Sequence, residues 1–400
     1  MSTSSHGSFP IVALQPAPLK VTLLMDTPNW AGTESYVHTL ALALREVSRD
    51  ASTRAPGNKV EVSIAAPPGS PLSVCARAAR IPTVAVARRH PWGLDTLQTL
   101  MRRLRRGASE VVHAHNGRTA LFGALSVRLA GRGVCVLTHH FIAPAHAEDS
   151  GWRGRLKGKA HLQLAKGIAH HIAISDAVAE ALLARGEVEP HRLTIVRNGI
   201  EAPSPSQNEQ LPAALRAQIA CVARLDKEKD LPTLIRAMKI LRDERREAAP
   251  RCVVAGEGME RNHLESLIRE QNLEQVVHLA GFTPLAGEIM RAAQVCVLPS
   301  VAEPFGLALV EAMARERAVV AIDAGGPREI VLAGQTGHLV PPGDAPAMAQ
   351  ALGDLLDDPA KARAMGQAGF ERFETHFTSQ RMAQETLSVY RQAWSSRAKH

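Results

Sequence analysis

Short apolar runs alternate along this chain with longer stretches in which apolar residues recur every three or four positions. The runs Leu19–Met25, Val60–Ala65, Val84–Val86, Val111–His115, Val134–Thr138, Ile172–Ile174 and Leu193–Val196 read as strands. Between them, Thr33–Arg49 puts Val37, Leu40, Ala41 and Leu44 on one face of a helix, with Thr33 as its expected cap. Further helices are expected at Leu94–Leu104, Thr119–Leu129 and Gly154–Gly167, and from a Ser175 cap to Ala184. Asn198-Gly199 opens a Pro/Ser-rich segment running to Gln210, which marks a domain boundary. The alternation then restarts, with strands at Ile219–Ala223, Cys252–Ala255, Val276–Leu279, Val295–Leu298, Ala318–Ile322 and Gly337–Val340. Helices are expected at Leu231–Arg245, Met259–Glu270, Leu285–Ala292, Gly306–Arg315, Arg328–Leu332, Ala345–Leu356, Pro359–Thr375 and Ser379–Trp394. Strand alternating with helix predicts an α/β fold: two doubly wound, Rossmann-like parallel-sheet domains, with ligands at the carboxyl ends of their strands and a cleft between them. The domains span residues 19–200 and 201–375, after a loose Ser/Pro/Ala-rich tail at 1–18 and before a last helical segment at 376–400.

Composition narrows the function classes. No apolar run approaches the roughly 18 residues of a membrane-spanning helix. The tail lacks the basic start and apolar centre of a signal peptide. Aromatic residues make up only 4% of the chain, too few to supply stacking platforms for bases, so nucleic acid is not an expected partner. Of five cysteines, Cys135, Cys221, Cys252 and Cys296 lie inside apolar runs and none forms a C-x-x-C pair. That usage fits a reduced, cytoplasmic setting with no bound metal. Residues 1–200 hold 24 Lys and Arg against 13 Asp and Glu, a net +11, whereas residues 201–400 carry −3. The basic half, including Arg88-Arg89, Arg102–Arg106 and Arg153–Lys159, fits either a solvated face or contact with anionic membrane, at the inner face of the cytoplasmic membrane.

The candidate chemistry gathers after two strands of the second half. Pro299 ends the strand at Val295–Leu298, and Pro304 keeps Glu303 extended. A helix then begins near Phe305-Gly306-Leu307, so Glu303 sits in a loop at a strand's carboxyl end and Glu311 about a turn and a half into the helix. Free N–H groups at Phe305, Gly306 and Leu307 would suit an anion. Arg224 and Lys229 follow the first strand of the same half and could neutralise a diphosphate. Alone, each of these charges also fits a solvated surface. His113, His115, His139 and His140 follow strands but lack the spacing of a metal site.

Pro299-Ser300 through Glu311 resembles the Glu-x7-Glu signature of the retaining family 4 glycosyltransferases. Ala223-Arg224-Leu225 through Lys229-Asp230 resembles that family's Gly-Arg-Leu-x-x-x-Lys-Gly, with Ala223 and Asp230 in place of glycines. Ala31-Gly32-Thr33-Glu34 is similar to its Gly-Gly-x-Glu loop, with Ala31 for the first glycine. Blocks at 173–178, 195–200, 325–330 and 337–344 follow in the family's order, while 313–320 lacks its usual glycine and proline. The resemblance covers most of residues 19–395. It implies the GT-B fold, an acceptor-binding first domain, a nucleotide-sugar-binding second domain and a last helix that crosses back to the first. It also implies retaining sugar transfer from a UDP- or GDP-sugar co-substrate to a hydroxyl of a glycan or lipid-linked acceptor, as in cell-surface polysaccharide or lipopolysaccharide synthesis. No metal or further cofactor is expected. By resemblance Arg224 and Lys229 stabilise the leaving diphosphate, with Gly32 and the amides at Phe305–Leu307. Glu303 orients the donor sugar, Glu311 accepts hydrogen bonds from ribose, and His140 lies near the reacting carbon. A nucleotide-sugar-binding protein without transferase activity, or an epimerase or phosphorylase of the same fold, are the alternatives.

Overall fold

A computed structural model describes residues 17–30, 32–49, 59–86, 94–142, 166–203 and 211–397. Its first sheet has seven strands: β1 (Leu19–Leu24), β2 (Val60–Ala66), β3 (Thr83–Ala85), β4 (Val111–Ala114), β5 (Val134–His139), β6 (His170–Ala173) and β7 (Leu193–Ile195). They lie in the order β3-β2-β1-β4-β5-β6-β7, all parallel. The second sheet has six: β8 (Ile219–Val222), β9 (Cys252–Ala255), β10 (Val277–Gly281), β11 (Val295–Leu298), β12 (Ala318–Ile322) and β13 (Gly337–Val340). Their order is β10-β9-β8-β11-β12-β13, again parallel. Parallel strands covered on both faces are apolar throughout, which is why Val295–Leu298 and Ala318–Ile322 are buried at every position. In each sheet the order in which strands are added reverses between two adjacent parallel strands, β1 and β4 in the first and β8 and β11 in the second. In doubly wound sheets ligands commonly bind at such a point.

Helices α1 (Gly32–Arg49), α2 (Pro71–Ala78), α3 (Leu94–Arg105), α4 (Gly117–Ala130) and α5 (Asp176–Ala184) belong to the first domain. Around the second sheet lie α6 (Leu231–Arg245), α7 (Arg261–Glu270), α8 (Ala286–Ala292), α9 (Leu307–Met313), α10 (Pro327–Ile330), α11 (Ala345–Asp357) and α12 (Pro359–His376). The last helix, α13 (Ser379–Ser396), leaves the second domain. Its Met382, Leu387 and Tyr390 are buried in one cluster with Val37, Leu40 and Leu44 of α1. The crossing is made where Ile200 pairs with Thr378.

One expectation at a helix start is corrected, and one helix is added. The structure begins α1 at Gly32, so Thr33 lies inside the first turn and does not cap it. Helix α2 was not expected; Ser70 caps it through Ser73 N–H, and Pro71 takes the first helical position. The expected helix at 154–167 lies outside the described residues but for its last two positions, as do Arg88-Arg89, Arg153–Lys159, Ala31 and residues 1–16.

Candidate active site

The β8 and β11 strands are neighbours, so the loops that follow them meet. Ser300 Oγ donates to the Glu228 carbonyl at 3.0 Å, and Val301 N–H donates to the same oxygen at 3.1 Å. This ties the loop after β11 to the short 3-10 turn Lys227–Lys229 after β8. The tie brings Lys229 Nζ to 2.6 Å from Glu303 Oε2, with only 15% and 12% of the two side chains exposed. The cation and the carboxylate that the sequence assigned to separate tasks are therefore one ion pair. Arg224 is different: 63% of its side chain is exposed, and it pairs with Asp226 and, at 2.6 Å, with Glu228.

Phe305 is buried, and Gly306 caps α9 at φ 116, a conformation in the left-handed region that favours glycine. No side chain caps this helix start, where Leu307 begins the helix. Glu311 lies within α9; burial raises its carboxyl above the ordinary range, and the Arg315 charge offsets part of that rise. The turn after β12 presses against the loop that bears Glu303. Gly326 N–H donates to the Glu303 carbonyl at 3.0 Å, and a Cβ on Gly326 would come within 2.3 Å of Phe305 Cα. Nothing larger than glycine fits there.

The first domain braces the same loop from the other side. Ser175, the cap of α5, donates through Oγ to the Pro304 carbonyl at 2.7 Å. Glu329 of α10 accepts from the backbone N–H groups of Asp176 at 2.9 Å and Ala177 at 3.0 Å, so a carboxylate of one domain caps a helix of the other. Arg197 pairs with both Asp176 and Glu329. These contacts turn the carboxyl ends of the two sheets toward each other. Glu329→Ala leaves two N–H groups of α5 without this acceptor and is expected to cost on the order of 2 kcal/mol. A urea melt of the variant checks it, and an unchanged midpoint would mean the brace contributes nothing.

On the first domain, His140 follows β5 and is buried, with Tyr36 at a ring-centroid distance of 4.8 Å and His115 Nδ1 at 3.4 Å from its Nε2. His113 Nδ1 is 2.6 Å from the Tyr390 hydroxyl and its Nε2 2.7 Å from Thr138 Oγ1, which links the returning helix α13 to this cluster. Burial lowers His113 and His140 to about 3 and His115 well below its ordinary value, so all three imidazoles are neutral. His139 pairs instead with His171 at 2.9 Å. Two residues after His140, Ile142 packs on the apolar cluster that contains Phe305. Ile142 thus joins the end of β5 to the apolar cluster beneath the loop that carries Glu303. Gly32 opens α1, where a side chain would meet open space among the described residues. Among the described residues no group of three His, Cys, Asp or Glu side chains could hold a metal ion.

One residue escaped the sequence reading. Asp26, buried at the carboxyl end of β1, accepts from Asn116 Nδ2 at 3.0 Å and lies 3.3 Å from Arg118 Nε. It occupies the point where the first sheet reverses, the counterpart of Arg224 in the second. An isolated Asp after an apolar run carries no pattern of its own; the order of the strands makes it conspicuous.

Comparison with known proteins agrees with this architecture. A profile of the glycosyl transferases group 1 matches residues 206–372, and one of Glycosyltransferase Family 4 matches residues 30–202. The alpha-maltose-1-phosphate synthase of Mycolicibacterium smegmatis is 32% identical over 308 residues, 71% of this chain and 79% of that protein. The MMP alpha-(1->4)-mannosyltransferase of Mycolicibacterium hassiacum is 30% identical over 305 residues, 72% of each. Among solved structures, Anabaena HepE in complex with UDP-glucose superposes with a TM-score of 0.76 at 21% identity, over 92% of this chain and 99% of that one.

Proposed function

The chain belongs to the group 1 glycosyltransferases and has their GT-B architecture, and from that premise we propose that it transfers a sugar, with retention, from a UDP- or GDP-sugar to a hydroxyl of a glycan or lipid-linked acceptor. The observation that carries the reading is the Lys229–Glu303 pair, set where the strand order of the second sheet reverses. In the free protein the two charges satisfy each other. A donor whose diphosphate meets Lys229 and whose sugar hydroxyls meet Glu303 replaces that one contact with two complementary ones. Arg224, exposed beside them, adds a second cation for the phosphates, and the amides at the start of α9 add donors. Glu311, partly desolvated, gains most from ribose hydroxyls that donate to it. The second domain then binds the nucleotide sugar, and the first, with His140 on its wall, presents the acceptor.

In the step itself the bond between the anomeric carbon and the diphosphate oxygen breaks, and its electron pair leaves with the diphosphate. Lys229 and Arg224 stabilise that charge. The acceptor hydroxyl attacks from the same face and passes its proton to a phosphate oxygen of the leaving group. The sugar so keeps its configuration without a carboxylate nucleophile. The names of the relatives above, a maltose-1-phosphate synthase and an alpha-(1->4)-mannosyltransferase, support sugar transfer, and the UDP-glucose complex of HepE supports a nucleotide-sugar donor.

A thermal-shift screen of UDP-, GDP- and ADP-sugars finds the donor, because a ligand of the native state raises the melting temperature. Proton NMR of the product made with that donor reads the anomeric configuration; an inverted product refutes retention. Binding of a nucleotide sugar with neither transfer nor hydrolysis would make the protein a binding module. Glu311→Ala is expected to raise the Michaelis constant for the donor about tenfold or more, as one charge-assisted hydrogen bond is lost, with little change in turnover. Initial rates over a range of donor concentrations test this, and an unchanged constant argues against the ribose contact.

A further inference from the structure

The outer face of α4 is apolar where a helix packed on a sheet is ordinarily polar. Leu121, Leu125 and Leu129 are 41%, 37% and 51% exposed, and their spacing of four puts them in one stripe along the helix. The opposite side, with Phe122, Gly123 and Ser126, is buried in the domain. Arginines rim the stripe. Arg128 shares the exposed face. Arg105 Nη2 donates to the Leu129 carbonyl at 3.0 Å, and Arg132 Nη1 donates to the Arg105 carbonyl at 3.4 Å, so both guanidinium groups stand at the end of the leucine row. On the neighbouring α3, Arg102 and Arg106 are exposed. Helix α4 contains no Asp or Glu. Between the start of α3 and the end of α4 the acidic residues are Asp95, in the first turn of α3, and Glu110, whose carboxylate accepts from Lys20 N–H at 3.0 Å.

We propose that the α3–α4 face docks on the surface of an anionic lipid bilayer, with Leu121, Leu125 and Leu129 at the acyl boundary and the arginines on lipid phosphates. An aqueous role leaves the leucine row unexplained, and a neutral partner leaves the arginine rim unexplained; an anionic membrane satisfies both. The placement also suits the chemistry. At its amino end α4 is capped by Asn116, which with Arg118 contacts Asp26. A bilayer lying along α4 is therefore continuous with the acceptor wall of the cleft, where a lipid-linked hydroxyl would arrive. The proposal deepens the acceptor reading, yet vesicle binding is measured with neither donor nor acceptor present, so the two can fail separately.

The experiment is co-sedimentation of the full chain with vesicles of phosphatidylcholine alone and of phosphatidylcholine with phosphatidylglycerol. Binding is expected to the second kind and to weaken with salt. Each arginine near an anionic surface is worth roughly fivefold in partitioning, so Arg102→Gln with Arg128→Gln should lower binding about 25-fold. Leu125→Ser with Leu129→Ser should lower it roughly tenfold or more and leave the residue of binding fully salt-sensitive. All four positions are exposed, so unchanged melting temperatures confirm folded variants. Binding that is absent in the wild type, equal on both vesicle types, or unchanged in both double variants overturns the proposal. So does a wild-type dimer that Leu125→Ser with Leu129→Ser makes monomeric, because a second copy would then own the face. Preferential binding to single-stranded RNA over vesicles, lost in the arginine variant, would overturn it in favour of nucleic acid.

Discussion

Lys229→Ala is expected to lower turnover about a hundredfold or more, the usual cost of removing one fixed electrostatic stabiliser from a developing charge. Lys229 is 15% exposed and held by Glu303, so it acts where water screens little. Arg224→Ala should cost much less, several-fold to tenfold, because 63% of that side chain is in solvent and Asp226 and Glu228 already share its charge. Rates at saturating donor for both variants test the ranking. Near-normal turnover in Lys229→Ala would end the leaving-group assignment, and equal losses in the two variants would deny that burial decides their weights. Lys229 also holds Glu303 in place, so Lys229→Arg is the informative control. It keeps the charge and the pairing but changes the reach, and should recover part of the loss. If Glu303→Gln matches Lys229→Ala in every parameter, the pair acts only as a structural clamp on the loop.

Much of this fold is visible in the chain because a parallel strand buried on both faces must be apolar at every position. Val295–Leu298, Cys252–Ala255 and Ala318–Ile322 occupy the expected residues for that reason. Helix α2 escapes because its eight residues bury only Leu72, Ser73 and Ala76, too few for a periodic signal. Its one legible mark is Ser70-Pro71, a cap followed by proline. Contacts made by strand order are harder to read. Lys229 and Glu303 are 74 residues apart, and nothing local says that β8 and β11 are adjacent. The same holds for Asp26 with Asn116, which depends on β1 lying beside β4. Resemblance to a known family placed the charged residues at a ligand site without revealing that two of them pair. It also marked the blocks at 173–178, 195–200 and 325–330, which the structure joins through Ser175, Arg197 and Glu329 into the brace on Pro304.

The brace bears on how the protein works. The loop carrying Glu303 and Phe305 is held by Gly326 from within its own domain and by Ser175 from the other. Any change in the angle between the domains therefore acts directly on the residue assigned to the donor sugar.

The first domain is expected to be acid-labile well above the pH at which carboxylates titrate. Burial lowers His113 and His140 to about 3 in the fold and His115 well below its ordinary 6.5, and neighbouring imidazoles add to the effect at His113 and His115. A group with a folded pKa below its unfolded one lets the unfolded chain bind more protons as pH falls. Stability is therefore complete above 6.5 and is lost as pH drops from there toward 3. At pH 5.5 the cost is about 1.4 kcal/mol for each imidazole, and about 4 kcal/mol for the three together. Burial raises the carboxyls of Glu311 and Glu329, which gives them the opposite sign, since the folded state takes up their protons first. Their window opens upward from 4.5, and both stand on helices of the second domain. For a domain of this size the melting temperature should fall by on the order of 10 °C between pH 7.5 and pH 5.5. His140→Gln should reduce the slope of stability against pH by about one proton's worth, whatever it does to stability at pH 7.5. A melting temperature that stays level across that interval would show that the imidazoles take up protons within the fold, and the neutral histidine wall would have to be abandoned.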